Sequence, residues 1–117
     1  MKVLTDECLP HKLRLHLQDE AVTAVYTGFG GRKNGALLDA AEAAGFDVLV
    51  TGDRAMPAQQ NLSKRRLAVV ALSAQVWEIV RLHMEEIESA ISAATPGAIT
   101  TVDIGTFSRK TQRLPWL

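Results

Sequence analysis

The chain has 117 residues, of which 47% are hydrophobic and only 5% aromatic, and its formal net charge is zero. That length suits a single domain, residues 1–117, whose core is built from aliphatic side chains and alanine. Zero net charge excludes bulk attraction to a polyanion, so any nucleic-acid contact must come from a local patch. A single cysteine, Cys8, excludes an internal disulfide and suits a reducing cytoplasm. No apolar run approaches the roughly 20 residues of a membrane span. The apolar stretch after Lys2 stops at Asp6, which is too early for a signal peptide.

Lys2-Val3-Leu4-Thr5 reads as a short central strand, followed directly by Asp6-Glu7. Pro10 suits a first helical turn, and Leu9, Leu13 and Leu17 form one apolar stripe on a helix of about ten residues. Ala21 to Tyr26 is apolar and β-branched, a second strand. Thr27 to Asn34 is a loop with three glycines and two basic residues. A helix follows from Gly35 to Ala44, with Leu37, Leu38, Ala41 and Ala44 inward and Gly45 as its stop. Asp47 to Thr51 is the third strand. Val48 to Thr51 shows no alternation, as in a strand buried on both faces of a parallel sheet.

Met56 to Leu62 reads as a loop with one helical turn, and Leu67 to Leu72 as a fourth buried strand. Ser73 suits an N-cap for a helix in which Val76, Val80, Met84, Ile87 and Ile91 repeat over about five turns. Pro96-Gly97 ends it. Ala98 to Ile104, Gly105 and Thr106 to Lys110 read as strand, turn, strand. Strands alternating with helices predict an α/β fold with right-handed crossovers. The expected architecture is a three-layer α/β/α sandwich with a mainly parallel sheet of four to five strands and a β-rich C-terminal end.

Parallel strands place Asp6 and Asp53 at the same carboxyl edge, where ligands bind in open α/β sheets. As a helix cap, Asp6 stands too far ahead of Pro10; Asp53 in a Gly-Asp pair also suits an ordinary turn. Adjacent carboxylates repel, and an oxygen-only pair favours Mg²⁺ or Mn²⁺ over zinc. Glu7 is a further candidate ligand. Asp39 lies nearer than Glu42 to the active edge, on the helix that starts there, although a solvated helix face accounts for either. His11, His16 and His83 have no metal-ligand spacing. Gly28-Phe29-Gly30-Gly31 is not followed by Gly-Lys-Ser/Thr, so it is no phosphate-binding loop of that type. Trp77 reads as packing, and Trp116 as an interface residue.

At Asp6-Glu7-Cys8-Leu9-Pro10 the chain resembles the PIN-like toxin families, small bacterial and archaeal proteins that open strand–Asp-Glu-x-x-Pro. The likeness continues through Lys33-Asn34-Gly35-x-Leu37-Leu38 and Ala43-Ala44-Gly45-Phe46-Asp47-Val48. It is strongest at Thr51-Gly52-Asp53-Arg54 with Gln59-Gln60-Asn61-Leu62, and takes in Leu67 to Leu72. The resemblance implies a PIN-like fold and Mg²⁺- or Mn²⁺-dependent ribonuclease activity, as the toxin of a toxin–antitoxin pair. It implies Asp6 and Asp53 as catalytic metal ligands and Asp39 as the helix acid. PIN nucleases gather more acids than Asp6 and Asp53, and Ala55 stands where another would help. Arg32, Lys33, Arg54, Gln60 and Asn61 are the residues expected to meet RNA. Expected partners are RNA, an antitoxin protein and a second copy of the chain, with no membrane and a cytoplasmic location.

Two alternatives stand beside this. The segment Phe46 to Pro57 resembles the phospho-acceptor segment of response-regulator receiver domains, with Asp53 as acceptor, Asp6-Glu7 as the Mg²⁺ acids and Ser73 as the switch hydroxyl. Receivers place a lysine at the end of strand five, and Thr100 to Gly105 contains none. The third reading is a degenerate PIN-like module that binds a partner without catalysis.

Overall fold

The computed structural model describes residues 1–32, 34–53 and 62–105. Its strands are β1 (Lys2–Thr5), β2 (Glu20–Thr23), β3 (Val48–Thr51), β4 (Ala68–Leu72) and β5 (Ile99–Val102). They form one five-stranded sheet in the order β2-β1-β3-β4-β5, with every pairing parallel. The α-helices are α1 (Asn34–Ala43), α2 (Trp77–Val80) and α3 (Met84–Ser92). The fold is therefore α/β with a parallel sheet. No described helix is long and apolar enough to cross a membrane.

The unbroken apolar runs explain which strands lie at the centre. Every residue of β3 and of β4 is buried, as the lack of alternation in Val48–Thr51 and Ala68–Leu72 requires. Successive side chains of a strand point to opposite faces, and the core divides accordingly. Val3, Val48, Val50, Ala68, Val70 and Leu72 join Leu13, Val80, Ile87 and Ile91 in one cluster. Leu4, Leu49 and Val69 join Leu37, Leu38 and Ala41 of α1 in the other. Each such buried aliphatic side chain contributes about 1.5–3 kcal/mol relative to exposure.

Several local expectations change. The helix expected after Pro10 is a 3₁₀ segment of six residues, His11–His16, although Leu9, Leu13 and Leu17 are all buried as the stripe predicts. Pro10 precedes it, and Leu17 is already extended (φ −84°, ψ 142°), which leaves no room for a longer helix before β2. β2 ends at Thr23, and the chain turns at once: Tyr26 N–H donates to the Thr23 hydroxyl and Phe29 N–H to the Ala24 carbonyl. The helix after β4 is interrupted by a 3₁₀ turn, Arg81–His83. His83 (φ −122°, ψ 23°) leaves helical geometry where its ring meets Glu86 at 2.9 Å. Trp77 packs against the core and lies 4.9 Å from the His16 ring, joining α2 to the 3₁₀ segment.

Ser73 is not the N-cap of that helix. Val76 occupies the position before α2 and makes no side-chain cap. The Ser73 hydroxyl donates to the Gly105 carbonyl (2.6 Å) and accepts from Ile104 N–H (2.8 Å), tying the end of β4 to the segment after β5. Gly45 does occupy the left-handed position beyond α1 (φ +83°). After α3 the described chain contains one strand, β5; the expected second strand at Thr106 to Lys110, like Trp116 and the loop turn at 56–61, lies outside the described residues.

Candidate metal and phosphate site at the carboxyl edge

The strand order changes direction at β1: β2 lies on one side of it and β3 on the other. A crevice between the carboxyl ends of such strands is the usual ligand site of open parallel sheets. Asp6 follows β1 and Asp53 follows β3, so the two acids flank that position. Asp6 N–H donates to the Val50 carbonyl (2.9 Å), continuing the ladder one residue past β1 and aligning Asp6 with Thr51.

Thr51 links the two acids. Its hydroxyl donates to Asp6 Oδ2 (2.7 Å) and accepts from Asp53 N–H (3.0 Å). Asp6 Oδ1 accepts from Glu7 N–H at 2.8 Å. Both Asp6 and Asp53 are half-buried, whereas Thr51 is fully buried. The Asp6 carboxylate is thus held in one orientation by two uncharged donors. Carboxylate oxygens carry two lone pairs each, so acceptor capacity remains on both.

The floor of the site is tight. Gly52 N–H donates to Cys8 Sγ (3.4 Å), and Gln75 Nε2 donates to the Gly52 carbonyl (2.9 Å). A Cβ at Gly52 would lie 2.5 Å from Gln75 Cγ and 3.1 Å from Leu9 Cδ2. Glycine is required there by space, and Gln75 holds the peptide that precedes Asp53. Burial, with the Asp6 charge beside it, pushes the Cys8 thiol above its ordinary pKa. Cys8 is accordingly protonated at neutral pH, and the thiol is a poor soft ligand.

The other expected site residues go elsewhere. Glu7 is exposed, and its Oε1 accepts from Gly31 N–H (3.1 Å), clasping the glycine loop. Arg32 on that loop is exposed, with its guanidinium 5.2 Å from the Phe29 ring centroid. Asp39 is 72% exposed and pairs with Arg65 at 2.8 Å, in the segment that leads into β4, on the side away from the carboxyl ends. Lys33, Arg54, Gln60 and Asn61 lie outside the described residues.

Among the described residues no group of three or more His, Cys, Asp and Glu side chains is placed to hold a metal ion. Two carboxylates still match the donor chemistry of Mg²⁺ or Mn²⁺, which keep several waters and take one or two protein carboxylates plus phosphate oxygens. The residues missed by sequence reasoning are Thr51 and Gln75. A signal for Thr51 exists: Thr5, Thr23 and Thr51, the last residues of β1, β2 and β3, are the buried polar side chains of the described chain. A buried hydroxyl needs a partner, and at a strand end the partner lies at the edge. Gln75 carries no such signal.

Comparison of the chain with protein-family models, with curated proteins and with solved structures finds no match in any of the three.

Proposed function

We propose that the chain is a divalent-metal-dependent ribonuclease of the PIN-like type, acting on phosphodiester bonds at the carboxyl edge of the sheet. One observation carries this reading: the Thr51 hydroxyl bridges the Asp6 carboxylate and the Asp53 backbone, so two acid-bearing residues from adjacent strands are tied together at one crevice. Asp6 and Asp53 would hold Mg²⁺ or Mn²⁺, which would supply the positive charge that acidifies water and offsets charge developing on the scissile phosphate. Thr51 orients Asp6, and Gln75 and Cys8 brace the Gly52 peptide behind Asp53. Glu7 holds the glycine loop, from which Arg32 meets substrate phosphates. Lys33, Arg54, Gln60 and Asn61 complete the RNA contacts, and Asp39, held by Arg65 at the other edge, takes no part in cleavage.

The three-layer α/β/α sandwich, the cytoplasmic location and the toxin role with an antitoxin partner belong to the same proposal. The division of the core into two clusters supports the layering. Cleavage of a labelled single-stranded RNA in Mn²⁺, with a chelator control, tests the reading. Asp6→Asn and Asp53→Asn are expected to fold normally and to lose cleavage. Cleavage at the wild-type rate in both variants discards the assignment. RNA or protein binding with neither cleavage nor Mn²⁺ uptake identifies the degenerate binding module instead.

A receiver-like phospho-acceptor role has a specific observation in its favour. The order 2-1-3-4-5 is that of receiver-like doubly wound sheets, with Asp6, Asp53 and Ser73 following β1, β3 and β4. Against it, the Ser73 hydroxyl is engaged by Gly105 and Ile104, and Asp103 rather than lysine follows β5. Beryllofluoride binding that requires Asp53 would favour the receiver reading.

A further inference from the structure

β2 is an outer strand of the sheet formed by the described residues. Ala24 N–H donates to the Thr5 carbonyl (2.8 Å), and Thr5 aligns with Thr23. Successive residues of a strand direct their N–H and C=O to opposite sides. Glu20 and Val22 therefore face β1, and Ala21 and Thr23 face away from it. The Thr23 carbonyl is taken by the N–H (3.2 Å) and hydroxyl (3.3 Å) of Thr27. No described residue pairs with the outward N–H and C=O of Ala21.

The surroundings of this edge are apolar and carry a cation. Leu15, Val25 and Tyr26 are 63%, 61% and 81% exposed. Arg14, Val22, Thr23 and Tyr26 line a cleft of about 240 Å³. Arg14 has no ion-pair partner among the described residues, and neither has Asp19.

We propose that two copies of the chain pair antiparallel through β2, about a two-fold axis at Ala21, giving one continuous ten-stranded sheet. In an antiparallel ladder, two residues that exchange both backbone bonds sit directly opposite each other. Ala21 is the β2 residue with both groups turned outward and available, so it pairs with itself across the axis. That register sets Glu20 opposite the partner's Val22, and Asp19 opposite the partner's Thr23. Thr23 shares its cleft with Arg14, so Asp19 meets the partner's Arg14, twice by symmetry. Asp19 and Thr23 lie two residues on either side of Ala21, and Arg14 lines a cleft with Thr23. Such self-complementarity marks a two-fold contact and favours a second copy over a foreign strand. Like charges are nowhere directly opposite, and Leu15, Val25 and Tyr26 flank the joined strands.

Sedimentation of the full chain across the micromolar to millimolar range tests this. The expected result is a reversible dimer whose dissociation constant rises about tenfold or more in Arg14→Asp and in Asp19→Arg, and returns toward wild type in the double variant. Hydrogen exchange at the Ala21 amide is expected to slow as protein concentration rises. A monomer throughout, a dimer indifferent to both charge variants, or an Ala21 amide whose exchange ignores concentration overturns the proposal.

Discussion

At the amino-terminal edge of the sheet three acids tie neighbouring segments together. Asp47 accepts the Lys2 backbone N–H (2.7 Å), Asp39 pairs with the Arg65 guanidinium (2.8 Å), and Glu42 accepts the Arg66 N–H (2.8 Å). At the carboxyl edge, Asp6 and Glu7 accept only uncharged donors: Glu7 N–H, the Thr51 hydroxyl and Gly31 N–H. The acids of the first edge fasten α1 and β3 to their neighbours, and Asp39 is neutralised there by the Arg65 guanidinium. Those of the second are oriented without being neutralised. Oriented negative charge attracts a cation, and Asp6 presents it at the crevice between β1 and β3, which makes the carboxyl edge the candidate site.

Substitutions at the two edges should separate these roles. The largest effect is expected from Asp6→Asn or Asp53→Asn, which should abolish Mn²⁺-dependent RNA cleavage in a gel assay while the far-ultraviolet dichroism stays unchanged. Thr51→Val keeps the shape of a fully buried side chain and removes the bridging hydroxyl. It should weaken Mn²⁺ binding by about 10–100-fold, as for other residues that orient metal ligands, and leave the Asp53 N–H without its partner at a cost of about 1–3 kcal/mol.

Gly52→Ala comes next. The added methyl displaces Gln75 and breaks its bond to the Gly52 carbonyl, costing about 1–3 kcal/mol in urea denaturation and reducing cleavage through a displaced Asp53. Asp39→Asn at the opposite edge should cost less than about 1 kcal/mol, because its partner Arg65 is itself partly solvated, and should leave cleavage unchanged. A loss of cleavage there as deep as in Asp6→Asn would dissolve the contrast between the edges.

The smallest effect concerns Cys8. Its folded-state pKa lies above the unfolded value, so on raising pH the unfolded chain loses the thiol proton first. Stability should be unaffected below the ordinary thiol pKa and should decline above about pH 8.5. Cys8→Ser should flatten that decline in denaturation measured across alkaline pH.

The sheet was legible because its signals are local. Unbroken apolar runs at Val48–Thr51 and Ala68–Leu72 require burial on both faces, and Gly45 stops α1 wherever α1 packs. Acids one or two residues beyond β1 and β3 reach the same edge once the strands are parallel, so Asp6 and Asp53 could be singled out together. What was not legible depends on contacts between distant segments. Glu7 turns to the glycine loop because Gly31 presents its N–H there, and Asp39 leans to Arg65 because the segment before β4 passes α1. Ser73 has the composition of a cap, but Ile104 and Gly105 reach its hydroxyl first. The apolar stripe through Val76, Val80, Met84, Ile87 and Ile91 describes a buried face without showing that the helix is interrupted at His83.

Calorimetric titration of the chain with Mn²⁺ tests the central claim most directly. One ion per site, bound by the wild type and lost in both Asp6→Asn and Asp53→Asn, is the predicted result. Absence of binding by the wild type, or binding that survives in either variant, contradicts it.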